Sequence, residues 1–210
     1  MKPFLLIISA PTGTGKTTIA RALADARPES VAFSISATTR APRPGEKDGV
    51  DYFFLKRPEF ERRRARGDFL EWAEYSGNIY GTLLSEVDRI TGSGRHVLLD
   101  IEVQGARTIR EQRRDVVSIF VLPPSVAVLL ERLKGRGEVP PSELRARLQR
   151  AVAEFEAAAE YDYIVVNDDR DQAIRDVASV LDAENLRGER VLAAQQLREE
   201  LHRVASQMSG

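Results

Sequence analysis

The chain has no cysteine. That removes disulfides, thiolate nucleophiles, cysteine-built zinc sites and iron–sulfur clusters in one step. Histidine is scarce as well: His96 and His202 are the only two in 210 residues, too few and too far apart in sequence for a histidine-built metal site. The apolar run nearest the start, Phe4 to Ile8, is far shorter than the roughly 20 residues a spanning helix needs. No small-residue cleavage site follows it, as a secretory signal would require. The expectation is a cytoplasmic protein without a membrane partner. An excess of one charge is also lacking: Lys plus Arg is 31 and Asp plus Glu is 32, for a formal net charge of −1. A general nucleic-acid binder usually carries a clear basic surplus, so nucleic acid is not an expected partner. What remains is a chain 42% hydrophobic and 30% charged, of a size that fits one domain with an insertion.

Apolar runs set the architecture. Phe4 to Ser9, His96 to Asp100, Val116 to Leu122 and Tyr163 to Val166 read as strands buried on both faces. Helical patterns separate them at about 17–26, 103–112, 125–133 and 142–160. In the last of these, Leu144, Leu148, Val152, Phe155 and Ala159 are expected on one face. Strands alternating with helices predict a parallel sheet wrapped by helices, an α/β fold. Residues 36–94 break the rhythm with a Pro/Gly/Arg loop at 40–49, aromatic strands near 51–54 and 69–75, and a helix near 58–66. They read as a small α+β insertion, leaving 1–35 and 95–210 as the core. Gly135, Gly137, Pro140 and Pro141 punctuate a second irregular stretch, expected to be a mobile flap at about 134–147. The charged C-terminal stretch after Asp171 is helical, either packed on the core or forming an oligomer contact.

Between the first strand and first helix lies Ser9-Ala10-Pro11-Thr12-Gly13-Thr14-Gly15-Lys16-Thr17-Thr18. This is the setting a nucleotide phosphate loop requires. Gly13 and Gly15 let successive N–H groups turn toward phosphate oxygens, and the helix starting near Lys16 adds its positive dipole end. Lys16 is expected at the β- and γ-phosphates and the Thr17 hydroxyl at Mg²⁺. Ala10 stands where the pattern usually begins with glycine. If that position needs positive φ, alanine is strained by about 1 kcal/mol; if it needs only a small residue, alanine is harmless.

Phosphate loops serve many reactions, so the insertion must choose among them. It contains Ser36, then Thr38-Thr39-Arg40, Pro42-Arg43, Gly45-Glu46, Asp48-Gly49 and Asp51-Tyr52, followed by Phe69-Leu70-Glu71-Trp72 and Asn78-Ile79-Tyr80-Gly81-Thr82. With these residues the chain resembles guanylate kinase, the P-loop nucleoside monophosphate kinase that phosphorylates GMP with ATP. The resemblance runs from about Leu5 to Asp169. It implies that Arg40, Arg43, Tyr52 and Tyr80 hold the GMP phosphate, and that Ser36, Glu71 and Thr82 recognise guanine. The chemistry agrees independently. Guanine offers N1–H and its 2-amino group as donors beside the O6 acceptor, so a carboxylate can accept both donors while a hydroxyl donates to O6. Adenine would set a lone pair against that carboxylate, and such mispairing is costly.

The resemblance further implies Mg²⁺ at Thr17 and Asp100, and lid arginines Arg132, Arg136 and Arg147 closing over the transferring group. Asn167 matches the position that contacts adenine. Glu102, in Asp100-Ile101-Glu102-Val103-Gln104-Gly105, replaces an aspartate that the family uses on guanine, so its charge is kept but displaced. No protein base is required, since a phosphate monoester with a second pKa of about 6 is already a dianion at neutral pH. Two other readings stay open: a related kinase acting on a ribose phosphate, and a non-enzymatic binding module. The arginine run at 62–66 reads as a solvated helix face, and Phe69 and Trp72 as core.

Overall fold

In the computed structural model, which describes residues 2–134 and 140–208, the chain begins with β1 (Leu5–Ser9), α1 (Lys16–Ala26) and β2 (Val31–Phe33). It continues through β3 (Ala37–Thr38), β4 (Phe53–Phe54), α2 (Arg57–Ala65), β5 (Phe69–Tyr75), β6 (Asn78–Leu83) and α3 (Leu84–Gly92). Then come β7 (His96–Asp100), α4 (Val103–Gln112), β8 (Val116–Leu122), α5 (Val126–Lys134), α6 (Pro141–Glu156), β9 (Tyr163–Val166) and α7 (Arg170–Met208).

The first sheet has five strands in the order β2-β7-β1-β8-β9, with every pair parallel. Period-2 alternation divides its side chains between two apolar layers. Leu6 and Ile8 of β1 pack with Ile19 and Leu23 of α1 and with Val177 and Leu181 of α7. Leu5 and Ile7 face the other way, toward Ile90 of α3 and Ile109 of α4. α1 leaves β1 over one face of the sheet, whereas α4, joining β7 to β8, packs on the other, and the C-terminal end of β1 opens into a crevice of the kind where α/β sheets bind ligands.

The second sheet, β4-β3-β6-β5, is mixed: β3 pairs parallel with β4 and antiparallel with β6. β5 and β6 form a hairpin closed by Ser76 and Gly77, both at positive φ (50° and 78°), which matches a type I′ turn. A register shift between Phe69 and Glu71 sets Glu71 opposite Thr82 and Ala73 opposite Tyr80, so these four share one face. The opposite face packs Ile79 and Leu83 on Phe60 of α2, which stacks on Phe69.

Several sequence expectations need correcting. Trp72 is not core; it is 43% exposed on an edge strand, with the Arg64 guanidinium 4.6 Å from its ring centroid. The buried stripe of α6 runs through Leu144, Leu148, Ala151 and Phe155, whereas Val152 and Ala159 face solvent. The turn from Ala157 to Glu160 is a 3₁₀ helix, which rotates Ala159 off that stripe. The strand near 51–54 shortens to Phe53–Phe54, because Asp48 to Tyr52 form a turn. β2, β3, β6 and α3 had no expectation; β2 and β3 hold only three and two residues, and α3 begins without a capping side chain. The arginines at 62–66 pair with Glu59, Glu61 and Asp68 on the surface, as a solvated face should. His96 is structural: it is buried and its Nδ1 accepts the Phe4 N–H at 3.1 Å.

Candidate active site

A cleft of about 640 Å³ lies between the C-terminal ends of β1 and β7, the β5–β6 hairpin and α6. It is lined by residues 10–18 on one side and by Ser36, Arg40, Arg43, Tyr52, Glu71 and Tyr80 on the other. Thr82 sits buried directly behind Glu71.

On the first side the backbone does the shaping. Gly13 (φ 88°) and Gly15 (φ 92°) take a left-handed conformation that other residues rarely adopt, and Gly15 leads directly into α1. Thr14 pins the curl by donating from Oγ1 to the Pro11 carbonyl at 2.9 Å. Asn167, only 6% exposed, donates from Nδ2 to the Thr14 carbonyl at 2.5 Å. Arg132 reaches the same carbonyl at 3.3 Å and the Asn167 carbonyl at 3.4 Å.

Lys16 turns toward the end of β7, with Nζ 2.9 Å from Asp100 Oδ1, 3.5 Å from Glu102 Oε1 and 3.1 Å from the Ile101 carbonyl. Burial alone would lower the ammonium's pKa, but Asp100 and Glu102 beside it outweigh that and raise it. Thr17 Oγ1 donates to Asp100 Oδ2 at 2.5 Å. A hydroxyl and a carboxylate therefore converge at one point, and Asp100 Oδ1, although ion-paired, completes no hydrogen bond.

On the second side, side chains do the work. Glu71 is 5% exposed, and its Oε1 accepts from both Thr82 Oγ1 (2.7 Å) and Thr82 N–H (3.0 Å). Burial pushes its carboxyl upward, while the two Thr82 donors pull it back. Oε2 makes no hydrogen bond among the described residues and lies against Gly105 in the first turn of α4. A Cβ there would come within 2.5 Å of it, so the approach requires glycine. Arg40 is held by Glu46 through two bonds of 2.9 Å each, which lower the Glu46 carboxyl and raise the guanidinium. The Arg40 guanidinium also faces the Tyr52 ring, 5.3 Å from its centroid, and Tyr52 packs edge-on with Tyr80.

The guanylate kinase family model matches residues 2–184. This chain belongs to the guanylate kinase family. It is 45% identical over 186 residues to the guanylate kinase of Symbiobacterium thermophilum, an alignment covering 89% of this chain and 88% of that one. To the guanylate kinase of Rubrobacter xylanophilus it is 49% identical over 177 residues, or 84% and 92% of the two chains. The crystal structure of guanylate kinase from Anaplasma phagocytophilum superposes with a TM-score of 0.71 at 37% identity, covering 87% of this chain and 86% of that one.

Within this guanylate kinase fold, the two departures from the expected pattern have distinct outcomes. Ala10 is 1% exposed and is not among the residues at positive φ, so its methyl group is packed core without backbone strain. Glu102 immediately precedes α4 in extended conformation, makes no side-chain capping bond and points its carboxylate at Lys16, with Oε2 buried and lacking a hydrogen bond. Arg147 lines the cleft while donating to the Leu133 carbonyl at 2.7 Å and to Glu143 at 2.6 Å. Arg136 lies outside the described residues. Sequence reasoning missed Gly105, Tyr75, Arg150 and Glu154 as cleft residues. Gly105 carried a signal, a glycine in the first turn of a helix. The others sit on regular elements whose facing depends on tertiary packing. Burial, then the nearby Glu102, pushes the Glu154 carboxyl up to about 7, against the pull of Lys16, Arg150 and the Thr12 N–H.

Proposed function

We propose that this chain transfers the γ-phosphoryl group of ATP to GMP, giving ADP and GDP for purine nucleotide metabolism. The observation that carries the reading is the buried Glu71 carboxylate, one oxygen filled by Thr82 and the other facing the cleft opposite a phosphate loop. A carboxylate in that state suits guanine's paired donors and penalises adenine's N1 lone pair. A hydroxyl has one proton, and Thr82 commits its own to Glu71. The donor to guanine O6 is then Ser36, which lines the cleft.

The GMP phosphate would meet Arg40, Arg43, Tyr52 and Tyr80, with the phosphate competing against Glu46 for the Arg40 guanidinium. On the donor side the loop amides of residues 10–18 and Lys16 hold the triphosphate, Asn167 braces the loop near adenine, and Arg132 and Arg147 approach from the lid segment. Thr17 and Asp100 fit Mg²⁺, a hard cation that takes one or two protein oxygens and completes its shell with water and phosphate. When bound it supplies charge neutralisation on the phosphate oxygens. Catalysis then rests on positioning, charge and exclusion of water.

Partners are small-molecule nucleotides in the cytoplasm, with nucleic acid and membrane outside the reading; among the described residues no helix is long and apolar enough to cross a membrane. The deciding experiment is ADP production from Mg·ATP with GMP, AMP, CMP, UMP and ribose bisphosphate as parallel acceptors. Turnover with GMP alone is expected. Turnover with the sugar phosphate would move the function to a related kinase, and GMP binding without turnover would make this a binding module.

A further inference from the structure

Three parts of the molecule meet at Tyr75, on the cleft side of the β5–β6 hairpin. Its hydroxyl is 2.9 Å from the Thr12 hydroxyl, in the phosphate loop. Its ring lies under the guanidinium of Arg150 from α6, 5.1 Å from ring centroid to carbon. Arg150 also donates from Nη1 to Ser76 Oγ at the hairpin tip, at 2.7 Å. On another side the Tyr75 ring packs edge-on against Tyr80, with centroids 6.4 Å apart. Neither Tyr75, Ser76 nor Arg150 has a place among the substrate contacts proposed above, yet all three line the cleft.

The tip is an unusual place for serine. Ser76 is the one non-glycine residue at positive φ among the described residues. Asn, Asp or Gly is favoured at that position of a type I′ turn, and serine there is strained. What serine supplies is a compact hydroxyl, and that oxygen is the one Arg150 holds. The hairpin behind the tip carries Glu71, Tyr80 and Thr82 on one face, so fixing the tip fixes the acceptor site. Thr12 in turn belongs to a loop pinned by Thr14 on Pro11.

We propose that Tyr75 is a positioning residue that latches the acceptor hairpin to the phosphate loop, with Arg150 and Ser76 clamping it from α6. GMP then meets a cleft whose two sides are already set at their working separation, and less of its binding energy goes into closure. This rests on the assignment of the hairpin to GMP.

Tyr75→Phe removes one hydroxyl and keeps the ring beneath Arg150. The expected result is a rise in KM for GMP of about three- to ten-fold, the worth of one hydrogen bond, with kcat changed by less than about two-fold. ATP affinity measured without GMP stays the same. Combining it with Thr12→Val should add nothing further to KM, since both changes remove the same contact. Ser76→Gly relieves the strained backbone while deleting the Arg150 acceptor; KM for GMP rises although the unfolding midpoint does not fall, a pairing that a merely structural role would not produce. The cysteine-free chain permits a direct reading. Spin labels at Glu74→Cys and Asp25→Cys, both exposed, report the separation of hairpin and core. Without nucleotides, Tyr75→Phe should broaden and lengthen that distribution relative to the otherwise wild-type pair. An unchanged distribution, or an unchanged KM in both variants, overturns the latch. The distance measurement needs no turnover, so failure of the GMP reaction itself would be seen separately.

Discussion

The two sides of the cleft are built from different material. The phosphate loop is ten consecutive residues shaped chiefly by their backbone, with two left-handed glycines leading into a helix start. The other side gathers Ser36, Arg40, Arg43 and Tyr52 from loop and turn segments and Glu71 and Tyr80 from two strands, and it presents their side chains to the cleft. Backbone sites should tolerate side-chain change so long as the fold of the loop is kept. Side-chain sites should fail on single substitutions that leave the fold untouched.

Glu71→Ala tests the contrast hardest. It removes the acceptor for two guanine donors and leaves the Thr82 N–H facing an empty pocket. Two charge-assisted hydrogen bonds correspond to a fall of about 10³-fold in kcat/KM for GMP. ATP affinity without GMP should hold, and isothermal titration with each nucleotide checks both halves. Loss of ATP affinity would erase the distinction between the two sides. A smaller effect, about ten- to a hundred-fold on GMP, is expected for Gly105→Ala. The new Cβ would fall 2.5 Å from Glu71 Oε2, and the carboxylate, not the helix backbone, is the part free to shift. Alanine is the better helix former, so the thermal midpoint should hold or rise while GMP use falls.

The same contrast explains what could be read from the sequence. The phosphate loop is contiguous, so its motif is legible in order, as are four strands of the parallel sheet from their apolar runs; β1, β7 and β8 are buried on both faces as expected, whereas β9 is an edge strand that leaves Ile164 and Val166 about half exposed. On the acceptor side the residue types were legible but their arrangement was not. Trp72 reads as core until the register shift after Phe69 puts Glu71 inward and its neighbour outward. Thr82 and Ser36 are equal candidates for guanine O6 until the 2.7 Å bond to Glu71 uses the Thr82 proton. Asn167, expected at adenine, donates one amide N–H to the Thr14 carbonyl, a contact the sequence does not announce. Glu154 and Tyr75 gave no signal, because their meaning comes from α6 and the hairpin closing on a loop more than sixty residues away in sequence.

Glu154 lies at the border between the two sides, and its titration sharpens the comparison. Burial and the Glu102 charge raise its carboxyl from an ordinary 4.5 to about 7 in the folded protein. Between those values the folded state holds a proton that the unfolded chain has released. The resulting stability is complete below about pH 4.5 and is lost as pH rises through 7. Glu154→Gln keeps the shape and cannot ionise. Melts at pH 5 and pH 8 should therefore show the variant gaining on the wild type at the higher pH. A constant difference would mean that Glu154 is not held in the cleft as the structure places it.

The smallest effect belongs to the backbone side. Ala10 fills a core position at a φ that any residue adopts, so its methyl group matters to packing and not to the phosphates. Ala10→Gly should leave kcat/KM for both nucleotides within about two-fold, because no N–H group of the loop is moved. Stability should drop by about 0.5–1 kcal/mol, since glycine adds freedom to the unfolded chain and gives up a buried methyl. Denaturant unfolding beside steady-state kinetics separates the two quantities. A gain in activity on restoring glycine would show that the loop's first residue does constrain its amides, and the donor side would then depend on side chains as the acceptor side does.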